Sequence, residues 1–137
     1  MVLINGMSKL VKFREYKTSA GKLVLAGKSA ESNEELVEQV GENEIVLHTV
    51  EPGSPFVNIK ADSGEVTKED IREAGVFCAR YSQDWRDNKG KIKVHVFLGK
   101  DIYKQKKMKS GTFGVKKFKE IVVKKIDIES FKLNSED

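Results

Sequence analysis

The chain has 137 residues, 34% of them charged, with a net charge of +4 and one cysteine, Cys78. One thiol excludes an internal disulfide and a cysteine-cluster zinc site, so a hydrophobic core must hold the fold and a reducing, cytoplasmic setting is expected. No run approaches the ~20 apolar residues of a membrane-spanning helix, so a membrane partner is not expected.

In chain order, residues 10 to 17 (LVKFREYK) and 22 to 26 (KLVLA) alternate apolar with polar on either side of Thr18-Ser19-Ala20-Gly21, which predicts a β-hairpin. Ser29 to Val40 switches to helical spacing, with Ala30, Leu36, Val37 and Val40 on one face, Ser32 and Glu35 as a capping box and Gly41 closing it. Residues 45 to 48 and 56 to 60 are short apolar strands joined through Glu51-Pro52-Gly53-Ser54-Pro55, a stretch no central strand accepts. Thr67 with Asp70 is a second capping box, opening a helix whose stripe is Ile71, Ala74, Gly75, Cys78, Ser82 and Trp85. Small residues in that stripe would let the helix lie close on a sheet.

Residues 91 to 98 alternate with period two: Ile92, Val94, Val96 and Leu98 face one way, Lys91, Lys93, His95 and Phe97 the other. The first set predicts a core face, the second a basic face carrying an aromatic ring. Residues 120 to 128 read as a last strand whose parity flips at Lys124-Lys125, as at a bulge or an edge, and the acidic tail from Glu129 to Asp137 reads as frayed. The order predicts one α+β domain over residues 1–137, a largely antiparallel sheet of about six strands with two helices packed on it.

Charge is segregated along this chain. Residues 1 to 85 sum to −4, residues 86 to 125 to +11, and residues 126 to 137 to −3. The centre of the positive block is Gly99 to Lys119, with Lys100, Lys104, Lys106, Lys107, Lys109, Lys116, Lys117 and Lys119 against the single acid Asp101. A lysine run is often no more than a solvated loop, but a chain needing only solubility would intersperse its signs. Massed lysines suit a polyanion, and Tyr103, Phe113, Phe118 and Phe97 are at hand to stack on unpaired bases. Lysine outnumbers arginine twenty-one to four, which favours point-charge neutralisation over bidentate base reading.

Several stretches, in order, resemble the NFACT-R domain, the RNA-binding module of the NFACT proteins. They are Gly27 to Val37 (GKSAESNEELV), His48 to Lys60 (HTVEPGSPFVNIK), Glu73-Ala74-Gly75 with Tyr81-Ser82-Gln83-Asp84-Trp85, and Lys109-Ser110-Gly111-Thr112-Phe113 with Lys116-Lys117. Together they span about residues 13 to 123, and the chain is similar to a standalone member rather than to the large ribosome-quality-control proteins. The resemblance implies RNA binding, to structured RNA such as tRNA or rRNA, and admits the ribosome or an RNA-modification enzyme as a further partner. The nucleic-acid-binding candidates are therefore Lys91, Lys93 and His95 on the strand, the eight lysines of the 99–119 stretch, and His48 and Ser54 at the Gly-Ser turn.

Other chemistry is thin. His48, His95 and Cys78 are the nitrogen and sulfur donors, without metal-ligand spacing, so no metal and no cofactor are expected. Cys78 falls on an apolar helical stripe, where packing explains it better than nucleophilic catalysis, and no catalytic residue is assigned. The readings that remain are an RNA-binding module, an adaptor docking an acidic protein or an RNA-modification enzyme, and, behind these, an RNA-modifying enzyme using Cys78.

Overall fold

The computed structural model describes residues 13–133. β1 (Arg14–Lys17) and β2 (Leu23–Ala26) form the hairpin, its turn closed by the Thr18 hydroxyl, which accepts from Lys22 N at 3.0 Å. Strands β3 (Glu44–Thr49), β4 (Val57–Asp62), β5 (Ile92–Leu98) and β8 (Lys119–Val123) complete a six-stranded sheet. Its order is β1-β2-β4-β3-β5-β8, antiparallel at every pairing. Two-residue strands β6 (Ile102–Tyr103) and β7 (Gly114–Val115) pair apart from it and brace the lysine-rich loop.

The period-two pattern places a core on each face of the sheet. On one side, Val24, Leu47, Val57, Ile59, Ile92 and Val94 pack against α2 (Lys68–Arg80) through Ala74, Phe77 and Cys78. A Cβ at Gly75 would lie 3.0 Å from Ile121 Cδ1, so glycine lets this helix approach β8 closely. On the other side, Val46, Phe56 and Phe97 pack under Leu36 of α1 (Ala30–Gln39), with Phe113 and Val115 of the loop alongside. Buried Asn58 ties α1 to the sheet, accepting from Gln39 Nε2 at 2.9 Å and donating to the Ile45 carbonyl.

The α+β sheet of six strands is present, and its two longer helices are the two expected; two short ones accompany them among the described residues. Four details differ. The α1 capping box is Ser29 with Ser32, one turn earlier than Ser32 with Glu35, because the Ser32 hydroxyl accepts from both Lys28 N and Ser29 N. The second helix stops at Tyr81 and restarts as α3 (Gln83–Asn88), since the Ser82 hydroxyl donates to the Ala79 carbonyl and caps Trp85 N. The last strand ends at Val123, and the parity flip at Lys124-Lys125 is the start of α4 (Lys125–Glu129). Phe131 is not frayed: its ring sits 5.3 Å from Tyr16, 5.7 Å from Phe77 and 6.2 Å from Tyr81. Residues 10–12 of the first expected strand and residues 134–137 of the tail lie outside the described residues.

Cys78 is fully buried, its thiol directed at Ser54 Oγ (3.9 Å) and the Pro55 carbonyl (3.8 Å), and burial pushes its pKa up to about 12. A protonated, enclosed thiol is packing, not a nucleophile.

Candidate nucleic-acid interface

The lysine-rich segment leaves β5 through a 3-10 turn (Gly99–Asp101), runs out along β6 and returns along β7, so it lies over the sheet face that carries α1. One carboxylate holds it there. Glu34 Oε2, on α1, accepts from Lys104 Nζ and from Gly111 N, each at 2.6 Å. Lys104 Nζ also donates to the carbonyls of Lys109 (2.6 Å) and Thr112 (2.8 Å) and stands 4.5 Å from the Phe113 ring centroid. The hydrogen bonds from Lys104 and Gly111 draw the Glu34 carboxyl below its ordinary pKa. Gly111 has φ +81°, and a Cβ there would stand 2.8 Å from Ala30 Cα, so the turn seats on the start of α1 only as glycine.

The thirteen sequence candidates separate into two groups. Lys100, Lys106, Lys107, Lys109, Lys116, Lys117 and Lys119, with Lys91 and Lys93 of β5, are exposed and enter no salt bridge among the described residues. Lys104 is instead the internal fastener of its own loop. His48 donates from Nδ1 to the Thr49 carbonyl at 2.7 Å, its ring 4.6 Å from Phe56; burial lowers its pKa, so it is neutral at pH 7. Ser54 accepts from Thr49 N and donates to the Pro55 carbonyl, both at 3.0 Å, with its side chain buried. These two shape the turn. His95 pairs across the sheet with His48, stacks its ring 4.0 Å from Phe118, and brings Nε2 3.9 Å from Glu120.

The strand face from Lys91 to Phe97 is accordingly only partly open. Lys91 and Lys93 are exposed, His95 is half-buried, and Phe97 is 5% exposed beneath α1 and the loop, which removes it as a stacking ring. Phe113 is held edge-on against Phe56 at 5.4 Å, and the Tyr103 ring lies against Gly114. Phe118 remains, 52% exposed.

Sequence reasoning read Glu34 as an acid favouring a helix start and missed its part in the site. Nothing local links it to Lys104, seventy residues on. Replacing Glu34 by alanine should loosen the loop without unfolding the sheet. The expected result is roughly tenfold faster tryptic cleavage after Lys106 and Lys107, with a small change in melting temperature, in line with locally lowered stability.

No helix among the described residues is long and apolar enough to cross a membrane, and no cluster of three metal-binding side chains occurs among them. Residues 12–117 match the family described as the NFACT protein RNA binding domain. The chain is 34% identical over 76 residues to the archaeal Rqc2 homolog aRqcH of Methanocaldococcus jannaschii, a stretch covering 55% of this chain and 11% of that protein. Its fold is similar to the C-terminal part of the fibronectin/fibrinogen-binding protein from Streptococcus suis, with a TM-score of 0.78 and 21% identity over 94% of this chain and 52% of the other. The chain thus spans about a tenth of the one relative and about half of the other. With a match across all but the ends of the folded unit, the chain belongs to the NFACT protein RNA binding domain family.

Proposed function

We propose that this domain binds structured RNA, tRNA or rRNA, chiefly through its phosphates, and that it serves translation quality control at the cytoplasmic ribosome. The observation that carries the reading is the set of seven exposed lysines between Lys100 and Lys119 that lack a carboxylate partner among the described residues, on a loop fastened to one face of the sheet. Lys91 and Lys93 extend the positive surface along β5. Fastening matters because ordering a long cationic loop on contact would cost conformational entropy, and the Glu34–Lys104 contact meets that cost before RNA arrives. The relative named as an Rqc2 homolog supports the quality-control setting. Binding would proceed without catalysis or cofactor.

The test is a salt titration of tRNA affinity. With about five phosphates neutralised, log K should fall against log salt with a slope of about −3.5 to −4.5. A slope near zero would overturn the proposal. In that event, a protein partner retained after nuclease treatment of a lysate would point to the adaptor reading.

A further inference from the structure

The first turn of the lysine-rich loop and the Pro52-Gly53-Ser54 turn enclose a groove of about 550 Å³ beside the start of α1. Its aromatic lining comes from distant parts of the chain: His48 from β3, Phe56, Phe97 and His95 of β5, Phe113 and Phe118. Groove volumes of a few hundred to a thousand Å³ accept a ligand of nucleotide size.

Three observations define the occupant. No aspartate or glutamate lines this groove, whereas the cavity on the other side of the Pro52-Gly53 turn is lined by Glu51, Asp84, Asp87 and Glu120. One wall belongs to the cationic loop, with Lys109 just before Ser110 and Lys116-Lys117 just before Phe118. Finally, α1 packs on β2 and the centre of the sheet and does not roof the outer strands, so Phe118 stands half exposed with its ring stacked on His95. A large exposed ring, supported from behind by a second ring and flanked by unpaired lysines, presents an aromatic platform to an anion-bearing ligand.

We infer that this groove takes one unpaired nucleobase of an RNA strand, stacked on the Phe118–His95 platform, with the adjoining phosphates on Lys116, Lys117 and Lys109. A base in a duplex has both faces covered by its neighbours and cannot offer one to Phe118, so the groove distinguishes single-stranded or looped RNA from continuous helix. Lysines attract both forms through their phosphates; the platform adds a contact that only the unpaired base makes. The inference rests on the RNA-binding reading above, but it assigns a different group of the RNA to a different part of the surface.

The experiment compares a labelled ten-nucleotide oligoadenylate with a blunt ten-base-pair RNA duplex, using the whole chain and Phe118→Ala. The Phe118 ring is half exposed, so its removal leaves the fold intact, and the melting temperature of the variant verifies this. The variant should bind the single strand about 5- to 100-fold more weakly, the range expected for loss of one stacked base. Its duplex affinity should be unchanged, and Phe118→Tyr should restore the single-strand value. Equal losses for both RNAs, or no loss for the single strand, would overturn the inference while leaving phosphate binding in place. If the unaltered chain binds neither RNA, the RNA-binding reading falls along with it.

Discussion

Replacing Lys106, Lys107, Lys109, Lys116 and Lys117 together by glutamine is expected to weaken tRNA binding on the order of 100-fold at 100 mM salt and to flatten the salt dependence by about 3.5 to 4.5 in log–log slope. Each of these side chains is exposed and without a salt-bridge partner among the described residues, so glutamine removes a charge without orphaning a buried group. The melting temperature should hold or rise slightly, because crowded like charges repel one another in the free domain. The contrast with Lys104 is the sharper part of the expectation. Lys104→Gln removes one charge as well, but it also breaks contacts to Glu34, Lys109, Thr112 and the Phe113 ring. Its loss of affinity should therefore exceed that of any single exposed lysine, and it should come with faster proteolysis of the loop. Electrophoretic or anisotropy titrations at several salt concentrations read both effects. Equal single-residue losses at Lys104 and Lys107 would contradict the distinction.

Asp70→Ala should lower stability by about 3 kcal/mol, equivalent to a fall in melting temperature of ~10 °C, with little effect on the RNA affinity of the molecules that remain folded. Asp70 is fully buried at the start of α2, on the opposite side of the sheet from the lysine-rich loop. Its carboxylate accepts from Thr67 N at 3.0 Å, from the Thr18 hydroxyl at 2.8 Å and from Lys22 Nζ at 3.3 Å, fastening the hairpin turn to the helix. Alanine would remove the helix cap and leave the Thr18 hydroxyl and Lys22 without their partner. Acid dependence gives a second readout. Burial raises the Asp70 pKa, but the hydrogen bonds from Thr67, Thr18 and Lys22 outweigh it and hold the group below its ordinary value of 3.8. A carboxyl with a depressed folded pKa contributes stability that is complete above its unfolded value and is lost as pH falls through the folded one. The parent chain should therefore lose stability below about pH 4 more steeply than Asp70→Ala, as followed by circular dichroism in urea. Parallel acid limbs for the two proteins would show that Asp70 is not the group responsible.

The local chemistry of both sites was readable to different depths. Thr67 and Asp70 lie three residues apart, so the capping box that they form could be named from the chain itself, and it is present as expected. The further reach of Asp70 to Thr18 and Lys22 could not, because those partners are 52 and 48 residues away. In the lysine-rich loop the charge was plain and the division of labour was not. Lys104 reads like its neighbours, yet it is the one that faces Glu34. His48 and Ser54 belong to a motif shared with the family, and their hydrogen bonds are directed inward, to Thr49 and Pro55, so they support the groove's turn rather than project from it.

By itself the sequence determined what short-range periodicity and composition can encode. That includes the strands with alternating burial, the two longer helices, the capping box at Thr67, the concentration of positive charge after residue 86 and the family. Tertiary structure decided which faces are covered. Alternation showed that His95 and Phe97 share a side of β5, but only the docking of α1 and the loop buries Phe97 while His95 stays at the rim beneath Phe118. It also set Glu34 against Lys104 and gathered an aromatic groove from strands remote in the chain. The physical reason is that the sheet order β1-β2-β4-β3-β5-β8 is not the chain order: the neighbours of a side chain are chosen by strand pairing and helix packing, which no local spacing records.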